Sequence, residues 1–375
     1  MALSGSQCQM LAGSRGPAVS GQRGPAAPRL RAIRRPRLLQ GTACRAAATA
    51  LRPPSSPDVA SGAELSCELI QGNVARFASG SAAEAPTAVL VHGILGSRRN
   101  LQSFARMIVQ GFPSWQVLLV DLRCHGESAA AAGAPPAGGP HTVDAAALDV
   151  LALLRRRRLF PQMLIGHSFG GKVVLSAARQ FVAGAAALPR PVQVWSLDAP
   201  PGTAAAGGGP AAGGDSPSAL LDALRAVPLP APSRAAVIDQ LAARGFSLPV
   251  ARWMTTNLRP AEGAGAAGGG GAGLTWSFDL EGAAAMYESY CSTSLWDLLR
   301  SPPQGLRIDF VRATRGAFAW DGDAARILEL GHRVHEVDAG HWVHTEAPYQ
   351  LFEAMAPSFG AVDLPLRRAP TPSQR

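Results

Sequence analysis

The chain has 375 residues, 47% of them hydrophobic and 16% charged, which is enough apolar material for a large core and too much for a chain disordered throughout. No charge-free apolar run is long enough to span a membrane, the 41 glycines show no triplet period, and five cysteines are too few, and odd in number, for a disulfide scaffold. The formal net charge is +9, yet nine arginines and no acid fall in residues 1–57, and the 26 basic residues that remain balance the 26 acidic ones. The excess is N-terminal, so it gives no sign of a nucleic-acid partner.

Residues 1–57 read as a disordered organellar transit peptide, because they are rich in Arg, contain Ala and Ser and lack acids. Chloroplast is the expected destination, with mitochondrion as the alternative, for an otherwise soluble protein. Residues 58–85 form a lead-in. Short apolar runs then alternate with helical spacing. Thr87–Val91 predicts a strand and Arg99–Val109 a helix. Trp115–Val120 predicts a second strand, ending at Asp121. Ala145–Leu154 has the helical spacing Leu148, Leu151, Leu154, and Arg155–Arg158 follows where cations suit the helix dipole. Met163–Ile165, Val192–Leu197, Leu306–Val311 and His332–Val337 predict further strands. Phe169–Phe181 and Tyr349–Met355 predict helices. Such alternation implies a mostly parallel sheet with helices on both faces, an α/β fold. Residues 86–202 and 301–361 supply its two parts.

Residues 203–300 interrupt that rhythm. Helical stretches there are bracketed by Gly/Ala-rich segments at Gly207–Gly214 and Ala261–Gly273 and carry Trp253, Trp276, Phe278, Tyr287, Tyr290 and Trp296. An aromatic-rich insertion between strands reads as a helical cap over a pocket, or as a helical subdomain with its own small core. Residues 362–375 are rich in Pro and Arg and are expected to be a disordered tail.

Gly166-His167-Ser168-Phe169-Gly170-Gly171 lies between a predicted strand and a predicted helix, the context a G-x-S-x-G nucleophile elbow requires. Ser168 is the expected nucleophile. The Phe169 amide at the helix start is one expected oxyanion donor, and Ile94, in Val91-His92-Gly93-Ile94-Leu95-Gly96, is the other. His92 is expected to brace that loop. His341 follows the last strand and is the expected base, with His344 solvated or supporting. Two places can supply the acid that orients His341. Asp198 emerges directly from a strand end and is preferred, while Asp321 or Asp323 is the alternative. Asp121, Arg123 and His125 are expected to fix a loop by hydrogen bonds. No Cys-x-x-Cys, His-x-x-x-His or phosphate-binding glycine loop occurs, so no metal or cofactor is expected.

These motifs resemble the α/β-hydrolase superfamily over roughly residues 86–360. Within it, Gly166-His167-Ser168-Phe169-Gly170-Gly171-Lys172 and Gly340-His341-Trp342-Val343-His344 look like the small-esterase branch. That branch includes bacterial short-chain acyl esterases, mitochondrial α/β-hydrolase domain proteins and plastid-predicted plant members. In that branch the acid follows the strand after the nucleophile, in a Val/Ile-Asp-x-x-Pro setting, and Leu197-Asp198-Ala199-Pro200 looks similar. The resemblance implies a serine hydrolase that cleaves a small-molecule carboxylic ester or thioester through an acyl-enzyme. The rival readings are an enzyme of the same fold doing C–C or proton-abstraction chemistry, and a non-hydrolytic small-molecule receptor. The oligomeric state is left open.

Overall fold

The computed structural model describes residues 65–77, 85–130, 140–182, 191–204, 215–261, 273–316, 320 and 322–367. The proposed transit segment 1–57, the glycine-rich stretches 207–214 and 262–272, Asp321 and residues 368–375 lie outside the described residues.

The described strands are β1 (Cys67–Gln71), β2 (Thr87–Val91), β3 (Gln116–Val120), β4 (Pro161–His167), β5 (Gln193–Leu197), β6 (Leu258–Pro260), β7 (Leu274–Trp276), β8 (Arg307–Ala313) and β9 (Arg333–Val337). Seven of them build one sheet in the order β1-β3-β2-β4-β5-β8-β9. β1 pairs antiparallel with β3, and all other neighbours are parallel. The fold is an α/β-hydrolase fold. β2, β3 and β5 are buried at every position, which is why they read as unbroken apolar runs rather than as alternations.

Successive strand residues still serve opposite faces. Val89, Val91, Leu118, Val120 and Leu164 pack with the helices Val143–Arg157 and Phe169–Val182. Leu90, Val117, Leu119, Met163 and Ile165 pack with the helices Gln102–Gly111 and Pro348–Arg367. Each such side chain stabilises the fold by about 1.5–3 kcal/mol through its burial. The last helix corrects one expectation. It runs to Arg367, well past Met355, so residues 362–367 are helical rather than part of a disordered tail. Packing accounts for the extension, because Phe359 is fully buried edge-on against Trp115 at 4.8 Å and stacked on Phe112 at 5.2 Å.

Between β5 and β8 the chain leaves the sheet. It forms the helices Pro217–Arg225, Arg234–Ala243, Leu248–Thr255, Leu280–Ser292 and Trp296–Arg300, with the antiparallel hairpin β6–β7 among them. The first four begin at Ser216, Ser233, Ser247 and Asp279, whose side chains each accept the backbone N–H three residues on. Each cap is worth about 1 kcal/mol, so local sequence starts these helices without outside help. Their apolar residues, Leu220, Leu241, Met254, Trp276 and Tyr290 among them, belong to the same continuous cluster as one face of the sheet. The insertion thus shares its core with the sheet.

Two buried polar contacts tie it down. Asn257 donates from Nδ2 to the Leu95 carbonyl at 2.9 Å. Lys172, the only lysine in the sequence, is fully buried. Its Nζ donates to the carbonyls of Gly202, Tyr290 and Thr293 at 2.6, 2.7 and 2.9 Å and lies 4.2 Å from the centre of the Tyr290 ring.

Candidate active site

After β2 the chain turns to β3 on one side; after β3 it crosses to β4 on the other. The loops leaving β2 and β4 therefore part company, and a crevice opens between them at the C-terminal edge of the sheet. The expected site residues gather there.

Ser168 follows β4 directly and has φ +53°, in the left-handed region that costs a non-glycine residue about 1–3 kcal/mol. The turn is tight enough to exclude side chains around it. A Cβ on Gly166 would run into the Gly170 backbone, and one on Gly170 would lie 2.5 Å from the Val91 carbonyl oxygen. The Ser168 amide donates to the Leu197 carbonyl at 2.8 Å, anchoring the turn to β5. Asp198, the residue after β5, repeats the pattern. Its φ is +47°, and its amide donates to the Val311 carbonyl of β8 at 2.8 Å.

The Asp198 carboxylate is fully buried. Its Oδ1 accepts from the Ala313 amide and from Trp320 Nε1, both at 3.1 Å. Its Oδ2 lies 2.8 Å from His341 Nδ1, which therefore carries the proton and donates it. That arrangement leaves Nε2 of His341 as the basic nitrogen. The alternative acid Asp323 opens the helix Asp323–Glu329, beside Gly202, and burial raises its pKa. Asp321, the other alternative, lies outside the described residues.

The loop after β2 passes against the serine. A Cβ on Gly93 would sit 3.1 Å from the Ser168 Cβ, so the backbone that leads to Ile94 runs directly beside the nucleophile. Phe169 is the first residue of the helix Phe169–Val182, and its amide stands at the positive end of the helix dipole. Two neutral histidines hold the loop. His92 donates from Nδ1 to the Gly93 carbonyl at 2.8 Å and accepts the Leu122 amide at Nε2 at 3.0 Å. His125 donates to the Arg123 carbonyl and accepts the Leu95 amide at 3.0 Å. Burial pushes His92 down to about 4 and His125 to about 3, so both stay uncharged near neutral pH. Asp121 accepts the amides of Arg98 and Glu127, and Arg123 forms a bidentate pair with Asp149 at 2.6 and 2.8 Å. These three residues fix loops, as their positions in sequence implied.

Of the two readings of His344, solvated or supporting, its surroundings match the second. It is buried, lies 4.6 Å edge-on to His167, and is held down to about 3 by burial and by the neighbouring His341. His167 in turn donates from Nε2 to the His341 carbonyl at 2.7 Å. Sequence reasoning passed over His167 because it reads as the variable residue of the elbow, yet it fixes the backbone that presents His341. A cavity of about 800 Å³ reaches Ser168 and His341. Its walls are largely apolar, with Ile94, Leu220, Val250, Trp253 and Trp342 among them, and Asp215, Arg315 and Glu346 add charge. Trp253 from the cap and Trp342 from the core approach to 5.6 Å between rings. Among the described residues one cluster, Cys124, His141 and Asp279, brings metal-ligating atoms together, and it lies outside this cavity.

Residues 88–354 match the model of the alpha/beta hydrolase family. The chain is 26% identical over 286 residues to sn-1-specific diacylglycerol lipase ABHD11 of Mus musculus, covering 72% of this chain and 80% of that protein. A shorter stretch of 98 residues is 38% identical to the protein of that name from Xenopus tropicalis, covering 26% of this chain and 28% of that one. Among solved structures, a marine microorganism esterase superposes with a TM-score of 0.60 at 19% identity, covering 80% of this chain and all of that one. E-2-(acetamidomethylene)succinate hydrolase superposes with a TM-score of 0.54 at 19% identity, covering 78% and 94% of the two chains. These two likenesses are of fold.

Proposed function

Because the chain belongs to the alpha/beta hydrolase family and is a hydrolase enzyme, we propose that it cleaves a carboxylic ester or thioester through an acyl-enzyme on Ser168. The observation that carries this reading is the His341–Asp198 pair at 2.8 Å, opening into the same cavity as a serine in a left-handed elbow. Asp198 holds His341 in the tautomer whose Nε2 is the basic nitrogen. His341 takes the Ser168 proton as the oxygen attacks the acyl carbon, returns it to the leaving alcohol or thiol, and then activates water. The Ile94 and Phe169 amides receive the oxyanion, each contributing about 3 kcal/mol to the transition state.

An apolar cavity of about 800 Å³ suits a substrate with a long acyl chain or a bulky apolar alcohol. The name of the mouse relative points to a glycerolipid ester, which such a cavity would admit. Residues 1–57 are proposed to direct the protein to an organelle, chloroplast or mitochondrion; a fluorescent fusion of that segment reports which, and uniform cytosolic signal would refute the assignment. Among the described residues no helix is long and apolar enough to cross a membrane.

The test is covalent labelling by a fluorophosphonate, with the adduct located by mass spectrometry. An adduct on Ser168, absent from folded Ser168→Ala, is the expected result. A folded wild-type protein that turns over esters without labelling at Ser168, or a Ser168→Ala variant that remains active, would overturn the proposal.

A further inference from the structure

Cys124, His141 and Asp279 come from three separate stretches of chain. Cys124 follows β3, His141 precedes the helix Val143–Arg157, and Asp279 caps the cap helix Leu280–Ser292. The Cys124 Sγ lies 3.2 Å from His141 Nδ1, and the ligating atoms of all three residues fall within 4.8 Å of one another. Two features of the backbone hold them there. Cys124 has φ +63°, which turns its side chain out of the ordinary course of the loop. Its carbonyl accepts the Asp279 amide at 2.8 Å, so the two ligands from core and cap are stitched together through the main chain. Gly282, in the first turn of the cap helix, leaves the space free. A Cβ there would collide with Cys124 Sγ and lie 2.6 Å from an Asp279 carboxylate oxygen.

We propose that Cys124, His141 and Asp279 form a binding site for a borderline-soft divalent cation, with Zn²⁺ the best match, that clasps the cap to the core. One thiolate, one imidazole and one carboxylate are the donor set such a cation takes, and three protein ligands leave a fourth, tetrahedral position for water. Zinc bonds of about 2.3 Å to sulfur and about 2.0 Å to nitrogen place those two ligands about 3.5 Å apart, so the pair at 3.2 Å opens only slightly on binding. Binding releases the Cys124 thiol proton to solvent, and the cation takes its place between thiolate and carboxylate. The site is separate from Ser168 and supplies no chemistry to the acyl transfer.

The experiment uses full-length protein stripped with chelator and titrated with Co²⁺ and then Zn²⁺, with thiolate-to-cobalt absorption as the readout and fluorophosphonate labelling as the check on folding. The expected result is one Co²⁺ per chain with a thiolate band, displaced by Zn²⁺, and a higher melting temperature with metal. Cys124→Ser should abolish the band, and His141→Gln and Asp279→Asn should each weaken binding at least tenfold. Asp279→Asn keeps a helix-capping acceptor, so it should fold even where Cys124→Ser does not. Absence of the band in folded wild type, its survival in Cys124→Ser, or unchanged affinity in either His141→Gln or Asp279→Asn would overturn the proposal.

Discussion

The sheet edge and the cap are built on opposite terms. Four consecutive parallel strands, β2 to β5, each lead into a non-glycine residue in the left-handed region: Leu95, Cys124, Ser168 and Asp198. Four of the five cap helices instead start from ordinary serine and aspartate caps with extended backbones. Strain of about 1–3 kcal/mol per residue is tolerable at the edge because rigid strands and buried hydrogen bonds on both sides over-determine it. Among the described residues of the cap no non-glycine residue has a positive φ. The proposed catalytic residues on strained strand ends and the relaxed helices that wall the cavity are thus different parts of one core.

The sharpest test of this contrast is at Asp198. Asp198→Asn can still accept the Ala313 and Trp320 N–H groups through its amide oxygen, so the fold should hold. Its NH₂ would face His341 Nδ1 and force the wrong tautomer. A loss of about 10⁴-fold in kcat with an unchanged melting temperature is expected. A melting temperature that falls together with activity would mean that the carboxylate serves the strained edge more than the reaction.

Much of the edge was legible in the sequence, because the elbow, the strand-end Asp and the Gly-His pair all lie next to apolar runs that declare the strands. The six strands expected from those runs are present with ends shifted by no more than two residues. β1 escaped notice because Cys67–Gln71 is an edge strand with no fully buried position and mixed polarity. The hairpin β6–β7 escaped because three-residue strands carry too little pattern to separate from loop. The contacts that join cap to core were the least legible. Lys172 reaches residues 30, 118 and 121 positions away, and the Cys124–His141–Asp279 cluster has no short spacing to betray it.

The next effect is at the junction of the two regions. Lys172→Met would leave three buried carbonyls without their donor and should cost about 3 kcal/mol in stability, read from urea unfolding. Hydrogen exchange should rise first in Leu280–Ser292 rather than in β4 or β5; equal loosening of the sheet would show that cap and edge are not separable.

Acid should act on the edge before the cap. His92, His167 and His344 are buried, and burial holds all three below the ordinary histidine value, His92 at about 4 and His344 at about 3. The unfolded chain takes up these protons near pH 6.5, the folded chain only at lower pH. The stability they contribute is therefore complete above about 6.5 and is lost as pH falls toward 4, at up to about 1.4 kcal/mol per unit for each residue. The urea midpoint should drop steeply between about pH 6.5 and 5, and less steeply in His92→Gln. A midpoint flat across that range would refute the assignment of these rings as neutral.

The smallest expected effect is away from both regions. Arg158 ends the helix Val143–Arg157 with φ +52° and is exposed, so its strain serves no site. Arg158→Gly should raise stability by about 0.5–1 kcal/mol with no change in kcat. The matching change Leu95→Gly should alter turnover, since that strain holds the loop beside Ser168.

The burial of the only lysine makes the protein a reporter on itself. No other side chain carries a primary amine, and in the docked protein the Lys172 amine is buried with its protons donated to three carbonyls. Reductive methylation should therefore mark the docked protein at its amino terminus alone, and add Lys172 only where the cap swings away. The rate of that single modification would time cap opening without any introduced probe.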